Sequence, residues 1–483
     1  MEVTVGDAYV QMGRGLVLSM RRVDDLGIDT TLFGGKINAQ HDLLAATLVA
    51  GVANPSRFDD ATGRSLLLPK SLPKDIADSR GPQPLFGSDR IVAGEVQAGR
   101  GTPVILGTRA ALLTRCAPYA YDDAGRVKTG ILETPVGTCE ALDRSTWTPT
   151  LPATSPVTSA ERVVNASQSV EISRIFSTGT LYVEAAIQRR ESTDTRQRFG
   201  NAIYGTFTYG LGPVTSTLEA KSYRNFYPLS ASVNAPRASA FSSVAYSAPP
   251  TTEAINQEQL GFVNACVTGG RLRTDVRLRP NFLVYGTVAH AVTTSEVPGG
   301  GCDASGRSTA SNPKDTTTTI WDTLTGFEWR FDHDRSWLFA SAGARSDVTE
   351  NDSPYNQERR IEYDWNQRIR GPFALELAGR HRARKIDQEN LRDGVSHAWH
   401  EGDHTTSLKI APKWIFSQGF EYTTQAGLPT YYVNGSVAYR FNSESDVVRV
   451  FVGQQRGGLR CVSGVCKVFP PFEGARAEMT LRF

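Results

Sequence analysis

The chain has 483 residues, 52 Lys and Arg against 50 Asp and Glu, and a formal net charge of +2, a balance that implies no nucleic acid or other strongly charged partner. Apolar residues are 40%, aromatics 9%, and Gly is high at 44 residues. The most apolar run, Leu43 to Ala53, is shorter than the roughly 20 residues a transmembrane helix needs, which excludes a helical membrane protein but not a barrel, whose strands need only about 9–11 alternating residues.

Met1 is followed at once by a strand-like segment, E-V-T-V-G-D-A-Y-V, with no leader before it. A protein bound for the outer membrane needs one, so the reading expects a processed chain or a start that lies upstream. Residues 2–10 and 15–22 read as two short strands around Q-M-G-R-G. Residues 30–39 and 43–52 follow, turning at Gln40-His41-Asp42. A polar, Pro-rich segment at 54–89 reads as a long loop, and 90–99 with 103–113 as a hairpin turning at Gly99-Arg100-Gly101. A second long loop, 114–165, holds Cys116 and Cys139. Strands near 166–175, 179–190, 199–209 and 213–223 precede a third long loop at 224–260.

The second half repeats the pattern. Strands are read near 262–279, 282–292, 316–330, 335–346, 357–368, 372–385, 403–411, 414–424, 430–441, 446–456 and 473–483. Further long loops fall at 293–315, 386–402 and 457–472. Short turns alternating with long loops are the rhythm of an outer-membrane barrel, with turns at the periplasmic side and loops outside the cell. A soluble sandwich or propeller has less reason to put every long connection at one end.

The faces also separate. The last eleven residues alternate Ala475, Ala477, Met479, Leu481 and Phe483 with Gly474, Arg476, Glu478, Thr480 and Arg482, a period of two. Residues 271–279 put Arg271, Arg273, Asp275, Arg277 and Arg279 on one side against Leu272, Val276 and Leu278. Arg360, Glu362, Asp364 and Arg368 oppose Ile361 and Trp365, and Glu376, Arg380, Arg382 and Arg384 oppose Phe373, Leu375 and Leu377. Arg or Lys on a lipid face costs roughly 2–4 kcal/mol at mid-bilayer, so the charged faces are expected to line the lumen. Trp329, Phe331, Trp414, Phe282 and Tyr209, near strand ends, suit an interfacial aromatic girdle.

The fold expected is all-β: one transmembrane antiparallel up-and-down barrel of about 20–22 strands over 1–483. The direct count is 21, whereas bacterial single-chain barrels are even-numbered. Either a strand is missed or merged, or a first strand is absent. A terminal strand ending in Phe483 resembles the closing strand of outer-membrane barrels, where that ending is the recognition signal of the assembly machinery. T-V-G-D-A-Y-V-Q-M-G-R-G-L-V-L-S followed by D-D-L-G-I-D resembles a group of uncharacterised outer-membrane barrel proteins. Gly6, Asp7, Tyr9, Gly13, Arg14, Gly15, Leu16, Leu26, Gly27, Ile28 and Asp29 carry that resemblance, and Ala8 departs from it. It implies a barrel in the outer membrane of a Gram-negative cell and brings no assigned activity.

Six cysteines, an even count, fit disulfides in an oxidising compartment. All fall in or beside outer loops, with Cys116–Cys139, Cys266–Cys302 and Cys461–Cys466 as the local pairs; free thiols are the alternative. No P-loop, dinucleotide fingerprint, HExxH or C-x-x-C is present. Gly-Arg-Gly at 13–15 and 99–101, and Asp332-His333-Asp334, read as turns. His397, His400 and His404, with Glu401 and Asp403, have ligand types that suit Zn or Cu. They fall across the edge of an expected outer loop and on no helix face. Metal and cofactor are expected to be none, and a catalytic set is expected to be none. Asp403 and His404 are the nearest imitation of an outer-membrane hydrolase.

Rings of Arg favour anions in a pore, unless Asp275, Glu362, Asp364 and Glu376 pair with the arginines and only hold the barrel in shape. The functional expectation is a porin-like channel for a polar solute, with anions as one option. A non-conducting outer-membrane component of a secretion, motility or surface assembly is the alternative. Expected partners are the bilayer and its lipopolysaccharide, the barrel assembly machinery and other envelope proteins.

Overall fold

A computed structural model describes residues 1–20, 31–54, 89–115, 161–192, 198–226, 266–293, 317–349, 354–386, 397–425, 427–441, 446–456 and 472–480, with short paired segments inside the connections. Twenty strands form one sheet. In the first half they are β1 (Glu2–Ala8), β2 (Thr31–His41), β3 (Leu44–Asn54), β4 (Asp89–Ala98), β5 (Val104–Arg115), β6 (Glu161–Ile175), β7 (Gly179–Ser192), β8 (Arg198–Leu211), β9 (Val214–Arg224) and β10 (Cys266–Arg279). The second half holds β11 (Phe282–Thr293), β12 (Thr317–Phe331), β13 (Ser336–Thr349), β14 (Pro354–Arg370), β15 (Phe373–Ile386), β16 (His397–Ile410), β17 (Trp414–Thr423), β18 (Tyr431–Phe441), β19 (Asp446–Gln455) and β20 (Phe472–Thr480). Each pairs antiparallel with the next along the chain.

The connections sort by end. The nine that leave β2, β4, β6, β8, β10, β12, β14, β16 and β18 are at most five residues long. Several carry the backbone their sharpness demands: Gly99 and Gly101 have φ of +88° and +78°, and Gly212 and Gly371 have +56° and +57°, a region L side chains rarely enter. Asp332, His333 and Asp334 also lie at positive φ, so this triplet is a turn. At the other end the connections run up to 45 residues, the length between Arg115 and Glu161. Two are short there as well, 193–197 and 350–353.

Alternation decides which side each residue meets. Val3, Val5, Phe33, Leu48, Val92, Leu106, Leu218, Leu272 and Ile361 stand exposed, while Glu95, Arg109, Asn165, Glu184, Glu219, Asp322 and Glu358 are buried. The wall is therefore apolar outside and polar inside, the inverse of a soluble protein and the arrangement a lipid-crossing barrel requires. The aromatics expected as a girdle gather at the short-turn end: Trp329 packs 4.8 Å from Phe331, Trp414 4.5 Å from Tyr439, and Phe282 5.9 Å from Phe327.

One expected wall strand is not in the wall. Of the expected strand 15–22, the described residues 15–20 fold inward. Val10–Met12 pairs antiparallel with Leu18–Met20, and Gly13-Arg14-Gly15 joins them. Gly13 and Gly15 have φ of +55° and +90°, and the Gly15 N–H donates to the Met12 carbonyl at 2.9 Å. Ser19 pairs in parallel with Ser230, which extends this inner sheet. Met12, Leu16, Val17, Leu18 and Met20 are wholly buried. The physical reason is the run Leu16-Val17-Leu18: it has no polar face to offer a lumen on one side while meeting lipid on the other. Removing this strand lowers the count from 21 to an even 20.

Candidate functional site

The lumen is the site the fold offers. A barrel of this width keeps an interior space unless something fills it. In the half bounded by β2 to β12, the inner hairpin fills part of it. Val10, Met12, Leu18 and Met20 cluster with the inward residues Leu32, Val49, Ile91, Leu113 and Val163. Leu16 cluster partners are Tyr182, Tyr204, Tyr223, Phe226 and Ile320. Polar contacts fix the insertion. The Asn165 amide donates to the Val17 carbonyl at 3.2 Å, and the Arg14 guanidinium lies 5.0 Å from the Tyr182 ring centre.

The hairpin turn sits over a buried ion cluster. Arg109 Nε donates to Glu95 at 2.6 Å, and its Nη1 meets Ser169 at 2.8 Å and Glu184 at 3.5 Å. Ser167 donates to Glu184 at 2.6 Å, and the Tyr182 hydroxyl also donates to Glu184. Every oxygen of Glu184 is thus occupied, which is what allows a carboxylate to be fully buried. A Cβ on Gly13 would stand 2.8 Å from Arg109 Cζ and 3.0 Å from Glu184 Oε2. Glycine at this point is what lets the turn approach the cluster.

Arg271, Arg273, Arg360, Arg380, Arg382 and Arg384 lie on the face that carries the buried carboxylates and are ion-paired, whereas past the bulge between Arg277 and Arg279 the latter stands opposite Phe282, on the face of Val284 and Trp329. Arg271 donates to Glu219, whose other oxygen accepts from the Tyr204 hydroxyl at 2.9 Å. Arg273 meets Asp275 at 2.8 Å and stacks 4.7 Å from the Tyr285 ring centre. Arg360 holds Asp322 in a two-pronged contact of 2.9 and 2.8 Å. Arg384 lies 3.1 Å from Glu358 and 3.5 Å from Glu401, Arg382 3.7 Å from Glu401, and Arg380 3.1 Å from Asp403. Glu401 also receives Arg456 at 2.8 Å. Glu376 pairs with Lys409 at 2.9 Å.

The pairing carboxylates differ from those expected. Asp275 serves as foreseen, but Glu376 takes a lysine, and neither Glu362 nor Asp364 has an ion pair among the described residues. Glu219, Asp322, Glu358 and Glu401 do most of the neutralising. Sequence reasoning missed them because each sits on another strand or one row away, and only cross-strand register brings it into reach. Arg277 and Arg279 are exposed at the short-turn mouth and, like the Arg368 side chain, carry no ion pair among the described residues. The Arg368 backbone N–H donates to Ser336 Oγ at 3.0 Å.

The histidine cluster is not in a loop. It forms the start of β16, where alternation splits it. Glu401 and Asp403 face the lumen with their arginines, while His400 and His404 share the outer face with Ala383 and Gly379. His404 Nδ1 and the Tyr363 hydroxyl are 2.6 Å apart, and His404 Nε2 lies 3.0 Å from Thr406 Oγ1. Asp403 and His404 therefore do not form a pair, and no three-ligand metal group occurs among the described residues. His397 opens the strand opposite Ile386, its side chain outside the described residues.

Cys461 and Cys466 stand directly opposite across the hairpin Gly458–Val462 and Val465–Phe469. Cys266 opens β10 opposite Arg224, and Cys302 pairs in register with Glu296. Cys116, Cys139 and Phe483 lie outside the described residues.

A twenty-stranded up-and-down barrel with an apolar exterior, an ion-paired interior and nine tight turns at one end, with every long connection at the other, is an outer-membrane β-barrel, and its place is the outer membrane of a Gram-negative cell. Residues 380–483 match the model of a family of unknown function, DUF6029. No curated protein matches. Among solved structures, the ferric-catecholate import receptor Fiu from E. coli K12 is similar at 12% identity and a TM-score of 0.43, over 94% of this chain and 72% of that one. The siderophore receptor PirA from Acinetobacter baumannii is similar at 8% identity and a TM-score of 0.44, over 94% and 71%. The FrpB iron transporter from Neisseria meningitidis is similar at 10% identity and a TM-score of 0.43, over 89% and 67%.

Proposed function

We propose that this chain is an outer-membrane transport barrel that passes a polar solute along an ion-paired lumen, with the inner hairpin at 10–20 restricting the path. The observation that carries the reading is the inner hairpin itself: two apolar strands joined by a Gly-Arg-Gly turn, seated on inward apolar residues of one half of the wall, in a lumen walled elsewhere by paired charge. A polar lumen wall is what a hydrated solute needs, and a separately folded insert is what restricts it. Because most lumen arginines are neutralised, charge preference falls to Arg277 at the periplasmic mouth, which carries no ion pair among the described residues and favours anions.

Single-channel recording of the purified full chain in a planar bilayer tests this. A small, interrupted conductance is expected, growing when residues 10–20 are replaced by a short Gly-Ser linker. Arg277→Gln is expected to shift the reversal potential away from anion preference, while Arg380→Gln is expected to leave it in place. No conductance from either the full chain or the linker variant, both heat-modifiable and folded, would overturn the transport reading. The barrel would then be a non-conducting component of an envelope assembly, a role the dense ion pairing of the lumen also suits.

A further inference from the structure

The outer face of β14 carries a cation where hydrocarbon is expected. Arg359 alternates with Arg360, which faces the lumen, and shares the exterior with the exposed Ile361. Its neighbours on that face are Ala344 on β13 and Ala383 on β15. It is exposed and has no hydrogen bond or ion pair among the described residues. Lys385, one row nearer the long loops and opposite Gln357, is in the same state. An unpaired Arg or Lys on the lipid face costs roughly 2–4 kcal/mol at mid-bilayer.

Two pairs of polar groups on this face differ, because they satisfy one another. Tyr363 pairs with His404, and His381 Nδ1 lies 3.3 Å from the Tyr422 hydroxyl. The two cations call for a partner. Arg359 is the sixth residue of β14 from the long-loop end, so it stands in the half of the wall that meets the outer leaflet. It borders a groove of about 760 Å³ lined by Gly286, Val288, Thr323, Ala342, Ile361 and Tyr422. Such a groove offers apolar contact along its length and positive charge at one margin.

We infer that this groove binds a phosphorylated acyl lipid of the outer leaflet, with an acyl chain along the groove and a phosphate on Arg359, supported by Lys385. Arg is suited to this because its planar fork meets phosphate through two parallel donors. The inference rests on the barrel wall and its orientation, and stands or falls independently of transport.

Native mass spectrometry of the full chain, released from neutral detergent supplemented with diphosphoryl lipid A, tests it. Adducts are expected with diphosphoryl lipid A and about tenfold fewer with the dephosphorylated form, the scale of one lost charge-assisted contact. Arg359→Gln is expected to reduce adducts to the same extent and Arg359→Lys to restore part of them. Ala344→Leu and Ala383→Leu, which fill the groove from lipid-facing positions, are expected to reduce binding as well, and they answer the question even if Arg359→Gln does not fold. Equal retention of both lipids, or full binding by Arg359→Gln or by the groove-filling variants, would overturn the inference. A lipid-free dimer broken by these substitutions would also overturn it, giving the face to a second copy.

Discussion

Leu18→Asp is the most direct probe of the inner hairpin. Leu18 is wholly buried, and every member of its cluster is apolar: Met12, Met20, Leu32, Val49, Ile91, Leu113 and Val163 among them. The substitution removes about 1.5–3 kcal/mol of burial. It also leaves a carboxylate with no partner in that cluster, at a cost of roughly 3–5 kcal/mol. A total of about 5 kcal/mol or more shifts the docked-to-undocked ratio by at least roughly three and a half orders of magnitude, at 1.4 kcal/mol per tenfold. The wall itself is untouched, because Leu18 belongs to the connection between β1 and β2. Single-channel recordings are therefore expected to show a larger conductance and longer openings for Leu18→Asp. Leu18→Met, a volume-conserving change costing less than about 1.5 kcal/mol, is expected to behave as the parent chain. Heat-modifiable migration in both variants verifies the folded wall. A folded Leu18→Asp barrel with parental conductance would refute the idea that the hairpin controls the lumen.

Three other outcomes follow from the wall. Arg360→Ala strands Asp322, which is 2% exposed, and is expected to cost about 3–5 kcal/mol, read as a lower unfolding temperature; Arg360→Met with Asp322→Leu should recover most of it. Leu48→Arg places a charge on the lipid face of β3 and is expected to destabilise the barrel by roughly 2–4 kcal/mol in vesicle refolding titrations; an unchanged folding free energy would place that face away from lipid. Cys461 and Cys466, opposed across their hairpin, are expected to form a disulfide, seen as a cross-linked peptide in unreduced digests that disappears on reduction.

The wall was legible in the sequence wherever lipid imposed strict alternation. Along β10 the alternation of charge against Leu272 and Val276 runs from Arg271 to Arg277, and a bulge breaks it before Arg279. The misreadings share a cause: local pattern reports a strand but not what lies on either side of it. Leu16 to Met20 has the apolar content of a strand and partly forms one, yet its partners are inward residues up to 145 positions away, such as Val163. The strand β16 extends back to His397 where sequence alone predicts loop up to residue 402, because the outer face there carries His400 and no large aliphatic residue, which hides the alternation of Trp399 and Glu401. Alternation alone puts the arginines on one face of each strand, except where the bulge after Arg277 turns Arg279 to the other. Their neutralisation does not follow from alternation, since Arg360 meets Asp322 two strands away, a distance of 38 residues along the chain.

The sorting of tight turns to one rim has a consequence for how the molecule can vary. Nine connections of at most five residues fix where each hairpin begins, and nearly all wall contacts are between strands consecutive in sequence. Closing a longer flexible loop costs only about 0.6 kcal/mol per doubling of its length. The opposite rim is thus free to gain or lose sequence between fixed posts, and foreign peptides grafted between Ile386 and His397 would be displayed at the cell surface without disturbing the staves beneath.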